Sequence, residues 1–345
     1  MSEKKTIRIN FAGFASEKHE INNVIFSILK KNFNLEISEN PDFVICDSEG
    51  THFEFMRYDC VRIMLMTENF SPDFTIFDYY VGFDYLDFGD RYFRLPYTFQ
   101  FPTGTPWIPE NISEEEAERI YNTKTCFCSF IYRHESSHGV REKIFDTLNH
   151  YKPIVSAGNY RNNLTGKTIN ITDGNFLNIS VSEKLSYLEK SKFTIACESV
   201  VYPGFETEKI YHAYKTHAIP IYYGSSTIEK TFNPRSFINA NSLSMDELLD
   251  KVKEIDKNKN KYIQMLMEYP FNDNSFCENL YNQFEQWLIH VFSQNPKSAF
   301  RRPKGYYVDS VNNSLKDLVY NMDKKNTPIN KKLRKVKRRI IRLIK

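Results

Sequence analysis

No two cysteines in this chain stand at CxxC spacing. The six are Cys46, Cys60, Cys126, Cys128, Cys197 and Cys277. The CxC at Cys126–Cys128 falls within a predicted strand, so metal-ligand spacing is absent. Buried free thiols in a reducing compartment are expected. No apolar run approaches the roughly 20 residues of a transmembrane helix. Met1-Ser2-Glu3-Lys4-Lys5 leads straight into a strand pattern, with no signal peptide, so the bulk of the chain is expected to be cytoplasmic. Glycine is scarce, at 12 of 345 residues. Neither sign of charge dominates: the net charge is +3, with 26% charged and 41% hydrophobic residues, an ordinary soluble composition. Aromatic residues are plentiful, with 28 Phe and 22 Tyr. Such an excess suits sugar binding, although core packing accounts for most of it. The length suffices for two domains.

The densest stretch of chemistry is Cys197–Ser225, CESVVYPGFETEKIYHAYKTHAIPIYYGS. It reads as strand, loop, helix and strand, a βαβ unit. Thr207 is placed to cap the helix, and Glu208 in the first turn suits the positive dipole end. Ile210, Ala213 and Tyr214 share one helical face. A helix N-terminus at such a loop favours phosphate, and Lys209 adds positive charge. An ordinary surface ion pair in a crossover gives the same pattern, and on spacing alone it is the slightly better account.

Before this stretch, Thr6–Ala12 alternates as a first strand, with Gly13 and Ser16 at the turn. Ile21–Phe33 has the spacing of an amphipathic helix, and Asp42–Cys46 and Val61–Met66 read as two further strands. The last runs into Thr67-Glu68-Asn69. A carboxylate just past a strand end sits where α/β folds bind ligands; from the residues alone, a loop acid or helix cap explains Glu68 better. Asp78, Asp84, Asp87 and Asp90 lack the Gly and terminal Glu of a calcium loop and read as turn and solvent acids. Ser113–Tyr121 is a helix with Ser113 as N-cap and Glu116 completing a capping box. A boundary follows near Asn122–Thr123. Thr125–Tyr132 then reads as a buried strand, and Val140–Leu148 as a helix bearing Arg141. A guanidinium can hold two phosphate oxygens, though a solvent Arg looks the same in sequence. Pro153–Ala157 is a short strand leading to Arg161, a weaker anion-binding candidate. Helices are expected at Val181–Lys190, Ser244–Ile255, Tyr262–Tyr269 and Asn279–Phe292. Lys331–Lys345 holds nine Lys or Arg and no acid, with Leu333, Val336, Ile340, Leu343 and Ile344 on one helical face. That pattern reads as an anchor to an anionic membrane surface, against the alternative of a solvated or nucleic-acid-binding charge run.

Cys197-Glu198-Ser199, Gly204-Phe205-Glu206-Thr207-Glu208-Lys209 and Pro220-Ile221-Tyr222-Tyr223-Gly224-Ser225 together resemble the C-terminal signature of the bacterial α-1,3-fucosyltransferases, glycosyltransferase family 10. That signature runs F-E-N-S, G-Y-V-T-E-K and P-I-Y-W-G-S. Thr67–Phe74, Phe77-Asp78-Tyr79, Gly82-Phe83-Asp84, Asp90-Arg91-Tyr92 and Asn233–Asn239 resemble further blocks. The chain departs from the family at Thr67, Phe70, Ser199, Phe205, Glu206 and Tyr223.

The resemblance implies an α/β fold of two facing Rossmann-like domains (GT-B type) followed by the basic amphipathic tail. Residues 1–122 would bind acceptor, 123–295 GDP-fucose, with an extension at 296–330 and the membrane-surface tail at 331–345. It implies inverting transfer of L-fucose from GDP-β-L-fucose to the 3-hydroxyl of GlcNAc or Glc in a lactosamine-type glycan, giving a Lewis-antigen-like product. Glu68 would be the general base. Glu208 would hold fucose or ribose, and Arg141 and Lys209 would neutralise the diphosphate. Glu198 would act near the nucleotide or support its loop. Phe205 stands in place of a donor-contacting Tyr. No obligatory metal, cofactor or nucleic acid is expected, and the protein would be peripheral on the inner face of the cytoplasmic membrane. The alternatives are α-1,4 or other acceptor specificity, or a weakened relative that binds membranes or polyanions.

Overall fold

Alternating exposed and buried residues make Thr6–Ala12 the strand β1, as its pattern predicts. The computed structural model describes residues 4–14, 23–48, 53–99, 108–136, 138–164 and 179–325. After β1, Asn23 opens helix α1 (Val24–Asn32) by accepting the Phe26 N–H in its side chain at 2.8 Å, an N-cap that satisfies an otherwise orphaned donor. Val24, Ile25 and Leu29 form its buried face.

The first sheet has the order β2-β1-β3-β4-β5-β6. Its members are β2 (Asn34–Ile37), β3 (Phe43–Asp47), β4 (Val61–Leu65), β5 (Tyr79–Gly82) and β6 (Tyr92–Arg94). Every pairing is parallel. β3, β4 and β5 are buried at every position, as parallel strands covered on both faces require. β2 is an edge strand, mostly exposed, with too little apolar alternation to be seen in the sequence. β5 and β6 are too short to give a periodic signal.

The reading of the four aspartates as turn and solvent acids needs correction. Asp87 does sit in a turn, accepting the Gly89 N–H at 3.0 Å. Asp78, in contrast, is wholly buried. Its carboxylate accepts the backbone N–H groups of Arg62 (2.7 Å), Arg301 (2.7 Å) and Arg302 (2.8 Å) and pairs with the Arg302 guanidinium. A buried carboxylate stays charged only with such donors around it. Asp84 is buried too, and accepts the Tyr202 hydroxyl at 3.3 Å.

The second sheet has the order β11-β10-β9-β7-β8. Its strands are β7 (Cys126–Phe130), β8 (Ile154–Ser156), β9 (Ser191–Cys197), β10 (Ile219–Tyr223) and β11 (Ile238–Asn239), again all parallel. The helices are α2 (Glu114–Thr123), α3 (Val140–Tyr151), α4 (Ile179–Glu189), α5 (Glu208–Lys215), α6 (Met245–Lys257) and α7 (Lys259–Met267). Phe130, Phe193, Ile195, Ile221, Leu248 and Val252 anchor the core between sheet and helices; each such side chain contributes about 1.5–3 kcal/mol on burial. Ser244 caps α6 in a complete capping box with Glu247. The box expected at Ser113 is only half made. Ser113 accepts the Glu116 N–H, but the Glu116 carboxylate pairs with Arg119.

The two compact units change over between Arg94 and Leu95, apart from the short exchange at Phe83–Tyr85. The sequence places the boundary near Asn122–Thr123. α2 precedes that point, yet its Ala117 lies in the core of the second sheet and the helix packs on α7. From Gln283 the chain rejoins the first unit, through the rest of α8 (Phe276–Ser293) and α9 (Tyr306–Lys325). The basic segment 331–345 lies outside the described residues.

Candidate active site

In the second sheet the strand order reverses between β7 and β9. In open α/β sheets the crevice beyond the carboxyl ends at such a reversal is where ligands bind. Four of the candidate residues converge there.

Glu198 follows β9 directly and is wholly buried. Its Oε1 accepts the Thr207 N–H at 2.9 Å, and its Oε2 accepts the Thr207 hydroxyl at 2.6 Å. The Lys209 ammonium lies 3.0 Å from the same Oε2 and donates to Thr207 Oγ1 at 2.7 Å. Thr207 therefore does not cap α5 with its side chain. Its hydroxyl instead bridges a buried acid and a lysine, and Glu198 accepts the N–H of Thr207 itself. The Glu198 N–H donates to Tyr223 O at 2.8 Å.

Arg141, in the first turn of α3, is also buried. Its Nη1 donates to His134 O at 3.1 Å, and its Nη2 to Cys197 O and Glu198 O at 3.3 and 3.1 Å. The guanidinium carbon lies 3.9 Å from the Tyr132 ring centroid, a cation–π arrangement. Nε is buried with no acceptor among the described residues. Tyr132 is pinned in turn, donating to Ile195 O at 2.7 Å and accepting the Cys197 N–H at 2.8 Å. His138 Nδ1 accepts the Val140 N–H at 3.2 Å. That leaves the proton on Nε2, which donates to Glu198 O at 3.1 Å.

Glu208 opens α5 with its Oε1 3.4 Å from the Lys209 ammonium. Burial pushes this carboxyl up, but Lys209 and then Lys184 hold it well below the usual carboxylate range. Burial likewise pulls the Lys209 ammonium down, and Glu198 and then Glu208 raise it above its ordinary value. Burial lowers Lys184 on α4 and takes His212 down to about 3, so His212 is neutral. The site thus gathers two carboxylates against Arg141, Lys209 and Lys184. Thr207 as a bridge, His138 and Lys184 were not singled out for this site by the sequence. Thr207 stands where caps stand, and the other two belong to unpatterned polar stretches.

Two glycines let the loops close around the site. Gly204 has φ +80, and a Cβ there would lie 2.4 Å from Phe83 O. Its N–H donates to Ser225 Oγ and Thr227 Oγ1 at 2.9 Å each. At Gly224 a Cβ would meet Glu198 Cγ at 2.5 Å.

The remaining candidates are Phe205, Arg161 and Glu68. Phe205 is buried among rings, with centroids 5.1 Å from Phe83 and 5.7 Å from Tyr97. Arg161 adopts φ 53 and pairs with Asp146 while lying over Phe145. Glu68 belongs to the first unit, exposed just beyond β4. The preceding Thr67 is buried. Its hydroxyl donates to Asp47 Oδ1 at 2.9 Å and its N–H to Ser48 Oγ at 2.9 Å, which fixes the backbone from which Glu68 projects. Among the described residues no three His, Cys, Asp or Glu side chains are grouped to hold a metal ion.

Residues 9–101 match the family model of the alpha-(1,3)-fucosyltransferase FucT N-terminal domain. Residues 121–269 match that of the glycosyltransferase family 10 (fucosyltransferase) C-terminal region. The chain is 29% identical to the alpha-(1,3)-fucosyltransferase FucT of Helicobacter pylori over 297 residues, 76% of this chain and 59% of that protein. It is 29% identical to alpha-(1,3)-fucosyltransferase B of Drosophila melanogaster over 130 residues, 35% of this chain and 28% of the other. The chain thus spans less than two thirds of the length of these relatives. Among solved structures, that of an alpha1,3-fucosyltransferase with GDP-fucose aligns with TM-score 0.63 at 26% identity, covering 84% of this chain and 92% of the other. A second alpha1,3-fucosyltransferase crystal structure aligns with TM-score 0.69 at 26% identity, covering 88% of this chain and 94% of the other. With the two Rossmann-like parallel sheets of the GT-B fold, the chain belongs to glycosyltransferase family 10.

Proposed function

We propose that the protein is an inverting α-1,3-fucosyltransferase. It transfers L-fucose from GDP-β-L-fucose to the 3-hydroxyl of GlcNAc or Glc in a lactosamine-type glycan. The observation that carries this reading is the charged cluster at the strand reversal of the second sheet, where Glu198 and Thr207 order Lys209 and the Glu198 carbonyl holds Arg141. It lies within the residues matched by the family 10 model.

Glu68 takes the proton of the acceptor 3-hydroxyl as that oxygen attacks the anomeric carbon. The bond from that carbon to the β-phosphate oxygen breaks, and the electron pair leaves with GDP. Lys209 and the fixed charge of Arg141 favour the negative charge growing on the diphosphate. Glu208 is ionised and available to sugar or ribose hydroxyls. Phe205 keeps the ring of the family's Tyr inside an aromatic cluster and offers no hydroxyl. The segment 331–345 holds the enzyme on an anionic membrane surface from the cytoplasmic side. Among the described residues no helix is long and apolar enough to cross a membrane.

The test is a transfer assay with purified protein, GDP-fucose, N-acetyllactosamine and EDTA, the product linkage being read by NMR. An α-1,3-fucosylated product is expected. Transfer to another hydroxyl would overturn the linkage, and failure to bind GDP-fucose would overturn the donor.

A further inference from the structure

Glu198 has each of its polar groups committed inside the protein. The N–H is held by Tyr223 O at 2.8 Å. The carbonyl accepts Arg141 Nη2 and His138 Nε2, both at 3.1 Å. The carboxylate accepts the Thr207 N–H and hydroxyl and the Lys209 ammonium. One residue thereby ties the end of β9 to β10, to the loop before α3 and to the first turn of α5. Its side chain is wholly buried, and the absence of a Cβ at Gly224 is what gives it room.

This arrangement bears on which side chains a diphosphate can use. An N–H at the start of α5 is already taken by Glu198, so that donor is not offered to an external anion. Lys209 keeps a permanent internal partner in Glu198 and a longer, more exposed one in Glu208. A buried ammonium needs a counter-anion to stay charged in the empty site, and Glu198 supplies it without leaving the core.

We propose that Glu198 is a positioning residue. It touches no part of the donor, and it acts on donor binding only by holding the Lys209 ammonium charged and aimed. This rests on the reading of the charged cluster as a nucleoside-diphosphate-sugar site.

The test is a double-mutant cycle in the full chain, with GDP binding measured by calorimetry and folding by thermal melts. Glu198→Gln and Lys209→Met should each weaken GDP binding about 10- to 100-fold. The double variant should bind within about two-fold of Lys209→Met alone, because the acid has nothing left to position. Additive losses would overturn the proposal and make Glu198 a ligand of the nucleotide. An unaltered affinity in Glu198→Gln would overturn it as well. If Glu198→Gln alone does not fold, the double variant, which removes both charges, and Thr207→Val, which removes the bridging hydroxyl, keep the cycle measurable. Thr207→Val should weaken GDP binding in the Lys209 background but not in the Lys209→Met background; equal losses in both would sink the idea. Wild-type protein that fails to bind GDP would reject the donor reading itself, an outcome separate from additivity.

Discussion

The two sheets share one strand order and differ in the side chains that stand at the carboxyl ends of their strands. Counting strands from the start of each sheet, both run second, first, third, fourth, fifth, and the first sheet adds a sixth. Beyond β3 and β4 of the first sheet lie Asp47, Ser48 and Thr67, an acid and two hydroxyls bonded to one another, with Glu68 projecting next. Beyond β7 and β9 of the second lie Arg141, Lys209 and their internal acid. Topology decides where a ligand can approach backbone ends. The side chains at those ends decide which ligand, so one scaffold used twice presents an exposed carboxylate in one unit and Arg141 and Lys209 in the other.

The largest effect on this contrast should come from Glu68→Gln. Transfer should fall about 10²- to 10⁴-fold, while GDP binding by calorimetry stays within about two-fold. A matching loss of GDP affinity would mean that the first unit does not hold the base. Next come the carboxylates that brace each unit. Asp78→Asn removes the charge that faces the Arg302 guanidinium and turns one of the two oxygens shared by its donors into an NH2. It should cost about 3–5 kcal/mol in denaturant unfolding; a loss below about 1 kcal/mol would show that the first unit does not depend on this buried acid.

Asp256, in the second unit, accepts Tyr151 Oη at 3.0 Å, Lys192 Nζ at 3.1 Å and the Lys152 ammonium. Lys152 is half exposed, so Asp256→Asn should cost less, about 1–3 kcal/mol. Burial pushes the Asp256 carboxyl up, yet Lys152 and Lys192 hold it below its ordinary value. A carboxyl depressed in this way contributes its full stability above its unfolded pKa of about 3.9 and loses it as pH falls toward the folded value. The gap between wild type and Asp256→Asn should therefore be constant from pH 7 to about 5 and shrink below about 4. A gap that widens with acid would reverse the assignment. The smallest effect on catalysis should be deletion of 331–345. The catalytic rate should hold within about two-fold, while sedimentation with anionic vesicles is lost. Retained sedimentation would place the membrane contact elsewhere.

Much of the scaffold was legible because buried parallel strands write apolar runs. Thr6–Ala12 and the turn–helix–strand after Cys197 appear where their patterns put them. Short or edge strands were not legible, since β2, β5 and β6 owe their pairing to neighbours rather than to their own sequence. The charged residues of the candidate site could be named, but their partners could not. That Arg141 spends its donors on backbone carbonyls, and that Thr207 serves Glu198 rather than the helix, follows from loops meeting in space. Asp78 misled for the same reason. Three of the groups that justify its burial belong to Arg301 and Arg302, more than two hundred positions away.

That separation sets an order in time. The second unit is nearly continuous in sequence, whereas the first is closed by residues that follow the second in the chain. During synthesis the carboxylate of Asp78 must remain in water until Arg301 and Arg302 emerge, so the earlier strands wait while the later ones can already settle. Ribosome-arrested chains should gain protease resistance first in the second unit, and in the first only once residue 302 has cleared the exit tunnel. Early protection of the first unit would show that another donor shelters Asp78 in the interim.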